Sequence, residues 1–291
     1  MSLPKLQEFC TPENDSALVA LLQRFQGNAL IIGGGTFVHG LSARGLLTEV
    51  EALIDIQRLG LGYVKPGPQG LAIGATTTFA QVETQPQILD DPRNGALKDS
   101  LRYPPVQIKN TATFGGCVAA SCPYFDVPVA LLAMDASVKA QGPAGQRMIR
   151  LEEFFTGLFA NALQQGEFVK ELIVPTAPAK SASAFIKLET NANDLAILNA
   201  AVFLSVDAAG KCSDARVFIG GGVGETPVRA RSAEAVLRGK TPSEEIFAQA
   251  GTAAQSDVDP MTDHRASAAY RRAMTRVLVE RSLKLAADRL T

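Results

Sequence analysis

The sequence predicts an α+β protein made of successive parts, on three observations. Helix and strand patterns alternate over the first sixty residues; turn or linker composition interrupts the chain near 66–70 and 176–181; and the last third runs through strands first and helices afterwards. Boundaries fall accordingly at 1–60, 61–177 and 178–291. With 291 residues, 46% of them apolar and 20% charged, the chain has an ordinary globular composition and enough length to bury a core without staples.

Each element has a local reason. Asn14, Asp15 or Ser16 is placed to cap a helix whose Leu18, Leu21, Leu22 and Phe25 share one face, ended by Gly27-Asn28. Residues 29–32 and 52–55 read as short buried strands, and 71–74 as a third. A threonine at 76–78 caps a helix reaching about Thr84. Residues 137–140 and 148–151 form a hairpin around Gly142-Pro143-Ala144-Gly145. Residues 168–174 read as a strand, and 184–188, 197–206 and 215–219 as three more. Helices follow at 231–237 and 243–255, then a long one at about 266–286 with Met274, Val277, Leu278 and Leu285 on one face.

Composition excludes several classes. Lys plus Arg is 28 and Asp plus Glu is 29, so there is no basic excess of the kind nucleic acid demands. No apolar run approaches the roughly 20 residues of a bilayer span. The N-terminus has no basic start followed by an apolar stretch, so no signal peptide is expected. Cys10, Cys117, Cys122 and Cys212 are unevenly spaced and read as reduced thiols of a cytoplasmic protein, and two histidines are too few for a His-based metal site.

Two glycine motifs carry the chemistry. Ile31-Ile32-Gly33-Gly34-Gly35-Thr36-Phe37 runs from a strand into a turn of bare backbone amides, which can wrap phosphate oxygens; the plainer reading is a tight turn that needs glycine. A dinucleotide fingerprint competes here, since Gly33-x-Gly35 follows a strand and Asp55 ends the next. Against it, Val38 takes the third glycine position and Gly40 would interrupt the helix. The second motif is Ala112-Thr113-Phe114-Gly115-Gly116-Cys117. Two glycine-rich turns converging on a diphosphate make physical sense. Gly220-Gly221-Gly222-Val223-Gly224 reads as a structural turn.

Together these residues resemble the FAD-binding medium subunit of molybdenum hydroxylases, the carbon monoxide dehydrogenase and xanthine dehydrogenase family. That family's Ala-Gly-Gly-x-Ser/Thr is matched by 32–36, and its Ala-Thr-Ile-Gly-Gly-Asn by 112–117 with Cys117 in place of Asn. Pro123 is in register, Asp126 stands nine places after Cys117, and Leu131 to Ala136 continue the likeness. Ala184-Phe185-Ile186-Lys187 with Asp194 resembles its flavin-facing Lys and Asp. Pro227-Val228-Arg229-Ala230 and Tyr270-Arg271-Arg272-Ala273-Met274 extend the resemblance through most of the chain. Cys122 replaces a Ser, Lys109 stands where Arg is common, and Asn191 stands where an Arg often follows.

The resemblance implies an FAD-binding fold of the vanillyl-alcohol-oxidase/PCMH type in two α/β subdomains, followed by a C-terminal α+β domain with a three-stranded sheet. It implies FAD held by Ile32, Gly33, Gly34, Gly35, Thr36, Phe37, Thr113, Gly115, Gly116 and Cys117, with no catalytic acid–base pair. Asp126 would accept from ribityl or ribose hydroxyls, or else cap a helix starting at Val127. Lys187 would lie near the flavin ring, and Asp194 would pair with Lys187 or lie by the ring. Partners carrying [2Fe-2S] clusters and the molybdopterin cofactor are implied: a small iron–sulfur subunit and a large molybdopterin subunit, in a heterotrimer or a dimer of heterotrimers. The chain would then take electrons from the clusters to an external acceptor. A stand-alone FAD oxidase, a Rossmann NAD-dependent dehydrogenase and an assembly subunit without flavin are the competing readings.

Overall fold

The computed structural model describes residues 3–191 and 194–290. The first layer begins with local chemistry. Asn14 is extended and its side chain accepts from the Ala17 N–H at 2.9 Å, capping the helix Asp15–Phe25, which buries Leu18, Val19 and Phe25. The helix unwinds through Gln26 and Gly27, both at positive φ, into the strand Ala29–Ile32. The helix Thr36–Ala43 and the strand Ala52–Asp55 follow. With Glu8–Cys10, these strands form a parallel sheet in which Ala52–Asp55 is central. The helix Thr36–Ala43 runs through Gly40 without the interruption expected there. A glycine in that position costs about 1 kcal/mol relative to alanine, too little to stop a packed helix.

The second sheet has five antiparallel strands in the order Val64–Gly67, Gly70–Gly74, Phe168–Val174, Ser137–Gly142, Gly145–Arg150. Residues 66–70 are therefore the turn of a hairpin inside this sheet. Gly70 is required at that turn: its φ is +126°, and a Cβ would sit 2.1 Å from the Val174 carbonyl oxygen. Between Gly74 and Ser137 the chain makes short helices and then Asp126–Ala133, which is buried along its whole length. All-round apolar character is what a central helix between two sheets requires.

The last part is an antiparallel sheet in the order Ser181–Leu188, Leu198–Val206, Cys212–Gly220, Val228–Arg229. The expected three strands gain a fourth, only two residues long, which pairs at Phe218 and Ile219. The helices Arg231–Leu237, Glu244–Ala254 and Ala268–Ala287 cover one face.

The buried stripe of the long helix differs from the expected one. It comprises Arg271, Thr275, Leu278, Val279, Ser282, Leu283 and Ala286, while Met274, Val277 and Leu285 are only half-buried. Three polar residues in the stripe hide its 3.6-residue period from a hydrophobicity count. Arg271 is admitted because every side of its guanidinium is met: it donates to Ile197 O at 3.0 Å, to Met261 O, and to Asp263 Oδ1 at 2.8 Å.

The preceding part and the C-terminal part are clamped by a buried carboxylate. Asp99 accepts both guanidinium nitrogens of Arg289 at 2.8 and 2.9 Å, and the Phe185 N–H at 3.1 Å. Its side chain is 5% exposed. Arg289 also donates to Ser183 O at 2.7 Å. Removing one partner of such a pair strands the other, so Asp99→Ala should lower unfolding free energy by about 3 kcal/mol. A urea titration followed by circular dichroism reads this, and an unchanged midpoint would refute the clamp.

Asp263 yields a pH prediction. Burial pushes its carboxyl upward, but the Arg271 hydrogen bond and the Arg265 and Ala266 amides hold it down at about 2. A depressed carboxylate stabilises the fold above its ordinary value and loses that contribution as pH falls toward 2. Acid unfolding between about pH 4 and pH 2 should therefore become shallower in Asp263→Asn, whose stability is lower at neutral pH.

Candidate functional site

The first glycine loop leaves the centre-facing end of the parallel sheet. Ile32 ends its strand and its carbonyl accepts from Ile56 N at 3.1 Å. Gly33 and Gly34 form the bend, and Gly35, at φ +70°, is the N-cap of the helix Thr36–Ala43. Thr36 and Phe37 are thus its first two helical residues, and the cap is the Gly35 backbone, not the Thr36 hydroxyl. No hydrogen bond is made by the N–H groups of Gly33, Gly34 or Gly35 among the described residues. A row of free amides at the positive end of a helix is an anion site by both geometry and field.

The second motif closes on the first. A Cβ on Gly34 would lie 1.5 Å from the Thr111 carbonyl oxygen, and one on Gly33 would lie 2.6 Å from Thr113 Oγ1. The two segments are in direct backbone contact, and only glycine permits it. The second motif is a capped helix and not an open turn. Thr113 is the N-cap of Phe114–Ala119, and its hydroxyl accepts from Gly116 N at 3.3 Å. Gly115 N donates to Ala75 O and Cys117 N to Thr113 O, each at 2.9 Å. All three amides of Gly115 to Cys117, expected as phosphate donors, are already committed. Gly115 is needed for another reason: a Cβ there would stand 2.6 Å from that of Ala75.

Burial raises Cys117 well above the ordinary thiol range and pushes Cys122 up to about 11. Both are therefore neutral, and neither adds a thiolate beside the loops.

A buried charged cluster lies next to them. Asp126 is the first residue of its helix, with Phe125 in the N-cap position, so it does not cap the helix as the alternative reading expected. Its Oδ2 meets Lys187 Nζ at 3.0 Å and its Oδ1 accepts from Asn199 Nδ2 at 2.9 Å. Lys187, 2% exposed at the side chain, also stands 3.0 Å from Glu189 Oε2. Its ammonium donates to the backbone carbonyl of Asp194 at 2.5 Å. Asp194 therefore joins Lys187 through its main chain; its carboxylate accepts from Leu195 N at 2.8 Å. Burial lifts Asp126 to about 6, against the pull of Lys187 and Asn199.

Glu189 and Asn199 were missed by the sequence reading, although both left a trace. Glu189 follows Lys187 by two places, and Asn199 is a lone amide in the apolar strand Leu198–Val206, opposite Lys187 in the register.

Aromatic rings link the two groups. Phe37 packs edge-on to Phe125, with centroids 5.7 Å apart, and its ring is 6.0 Å from that of Phe159. Phe159 is half exposed at φ +56°, and its N–H donates to the carbonyl of Ser121, itself at φ +47°. Two strained non-glycine residues joined by a hydrogen bond thus border the loops. The residues fit a nucleotide diphosphate: free amides, a helix N-terminus, bare backbone, and hydroxyls at Thr36 and Thr113.

With this arrangement established, comparison with known proteins identifies the class. Residues 5–177 match the family described as the FAD binding domain in molybdopterin dehydrogenase, and residues 183–286 match the CO dehydrogenase flavoprotein C-terminal domain. The chain belongs to this family, the FAD subunits of molybdenum hydroxylases. It is 36% identical to the 6-hydroxypseudooxynicotine dehydrogenase complex subunit alpha of Paenarthrobacter nicotinovorans, over 89% of this chain and 87% of that one. It is 27% identical to the carbon monoxide dehydrogenase medium chain of Afipia carboxidovorans, over 99% of each. Among solved structures, it superposes with a TM-score of 0.93 on a chain of the carbon monoxide dehydrogenase from Hydrogenophaga pseudoflava. There the identity is 29%, with 99% of each chain covered. No helix among the described residues is long and apolar enough to cross a membrane.

The contact between loops is directly testable. Gly34→Ala should separate them and abolish flavin retention, read as the loss of visible absorbance per folded chain. Gly40→Ala, where a Cβ meets nothing within 4 Å, should keep its flavin and gain about 1 kcal/mol of stability. Full occupancy in Gly34→Ala would remove the loops from the site.

Proposed function

We propose that this chain is the FAD-carrying electron-transfer subunit of a multi-subunit molybdenum hydroxylase. It would take electrons from [2Fe-2S] clusters in a small subunit and pass them to an external acceptor, with the substrate oxidised at a molybdopterin centre in a large subunit. A heterotrimer, or a dimer of heterotrimers, in the cytoplasm accommodates these parts. The reading rests on one observation above the rest, the contact of the Gly34 backbone with the Thr111 carbonyl, which makes one anion cradle from two distant segments. Within this reading 1–60 and 61–177 are the two FAD-binding subdomains and 178–291 is the C-terminal flavoprotein domain.

When bound, FAD supplies the redox chemistry, exchanging one electron at a time on one side and two on the other. The chain's own residues bind and orient. The amides of Gly33 to Gly35, with Ile32, Thr36 and Phe37 shaping the loop, would hold the diphosphate. Thr113, Gly115, Gly116 and Cys117 would close its other side; the last three would act there by fit, since their amides are engaged. Lys187, Asp126 and Asp194 would form the polar floor beneath the nucleotide. The Lys187 charge is largely answered by two carboxylates, so it would tune a flavin less than a free lysine.

Isolation of the native complex tests this. One FAD per chain, with iron, molybdenum and two further chains in constant ratio, is the expected result. A chain that purifies alone and oxidises an organic substrate at full rate would instead be a stand-alone oxidase.

A further inference from the structure

The cluster behind the loops has an unbalanced charge. Lys187 faces two carboxylates, Asp126 and Glu189, each 3.0 Å away, and all three are largely withdrawn from water. The ammonium spends one hydrogen on Asp126 and one on the Asp194 carbonyl; Glu189 Oε2 receives none, despite its distance. Asn199 Oδ1 is likewise buried without a donor. With every group ionised the cluster carries one net negative charge, which burial disfavours. One proton makes it neutral.

We propose that Asp126, Glu189 and Lys187 form a proton-binding site that fills when a nucleotide diphosphate docks at the adjoining loops. The inference rests on the reading that the loop at Gly33 to Thr36 binds the FAD diphosphate. Phe125, directly before Asp126, packs against Phe37 on the helix that follows that loop, which brings the buried cluster beside an anion bound there. A diphosphate entering there raises the cost of the cluster's excess charge. A proton taken from solvent converts one carboxylate, Asp126, to a carboxylic acid, and no electron moves.

The groups facing Asp126 are Lys187 and Glu189 at the end of the strand Ser181–Leu188, Asn199 on the neighbouring strand, Tyr103 from the loop beneath, and the thiols of Cys117 and Cys122. Tyr103 and both thiols are pushed upward and stay neutral through the physiological range, which leaves Asp126 to take the proton. Asp126 is already lifted by burial to about 6.

Calorimetric titration of FAD into the full chain freed of flavin, in buffers of unlike ionisation heat, counts protons. His39 lies on the helix behind the loop, so every titration uses the His39→Gln background. Uptake of a fraction of a proton per FAD is expected near neutral pH, with affinity falling as pH rises by up to about tenfold per unit. Adding Asp126→Asn should abolish both effects. Adding Glu189→Gln, which leaves a balanced pair, should abolish most of the uptake while FAD still binds. Uptake that survives either substitution overturns the proposal, as does FAD binding without uptake in the His39→Gln background. Failure of FAD to bind at all would instead overturn the underlying reading of the loop.

Discussion

The structure depends on a contact that leaves no room for a side chain. The backbone of Gly34, at the end of a parallel β-α-β layer, lies against the carbonyl of Thr111, which belongs to the antiparallel part. Any residue other than glycine would force the two layers apart. Gly115 against Ala75 and Gly70 against Val174 repeat the device inside the second part. Backbone approach, and not side-chain charge, brings these segments together in a chain whose net charge is -1.

The C-terminal sheet completes the site from the other side. Its first strand supplies Lys187 and its second Asn199, and both reach Asp126 at the start of the buried helix. A lone carboxylate there would be costly, and so would a lone ammonium; each is tolerable because the other is present. The clamp of Arg289 on Asp99 and the clasp of Arg271 on Asp263 hold that sheet in place. The same three-dimensional logic recurs: a buried charge is admitted only where several partners converge.

Much of this was legible in the sequence, because strands and helices with clean periods announce themselves. The cap at Asn14, the hairpin at Gly142 to Gly145 and the strands of both later sheets other than Val64–Gly67 and Val228–Arg229 follow from local chemistry. The motif-by-motif likeness identified the family. What escaped were features set by tertiary contact. The buried face of Ala268–Ala287 was misplaced because Arg271, Thr275 and Ser282 count as polar until their partners are known. The second motif reads as a turn, yet Thr113 winds it into a helix and spends its amides. Glu189 entered the cluster through a spacing too common to single out.

The pairing of Asp99 with Arg289 joins residues 190 positions apart. During synthesis it forms only after the ribosome has passed residue 289, when all the sheets are already available. Before that moment the C-terminal sheet has no such latch to Asp99. Afterwards the covering sheet is fastened on the far side. A residue 190 positions away in sequence thereby decides when that fastening can close.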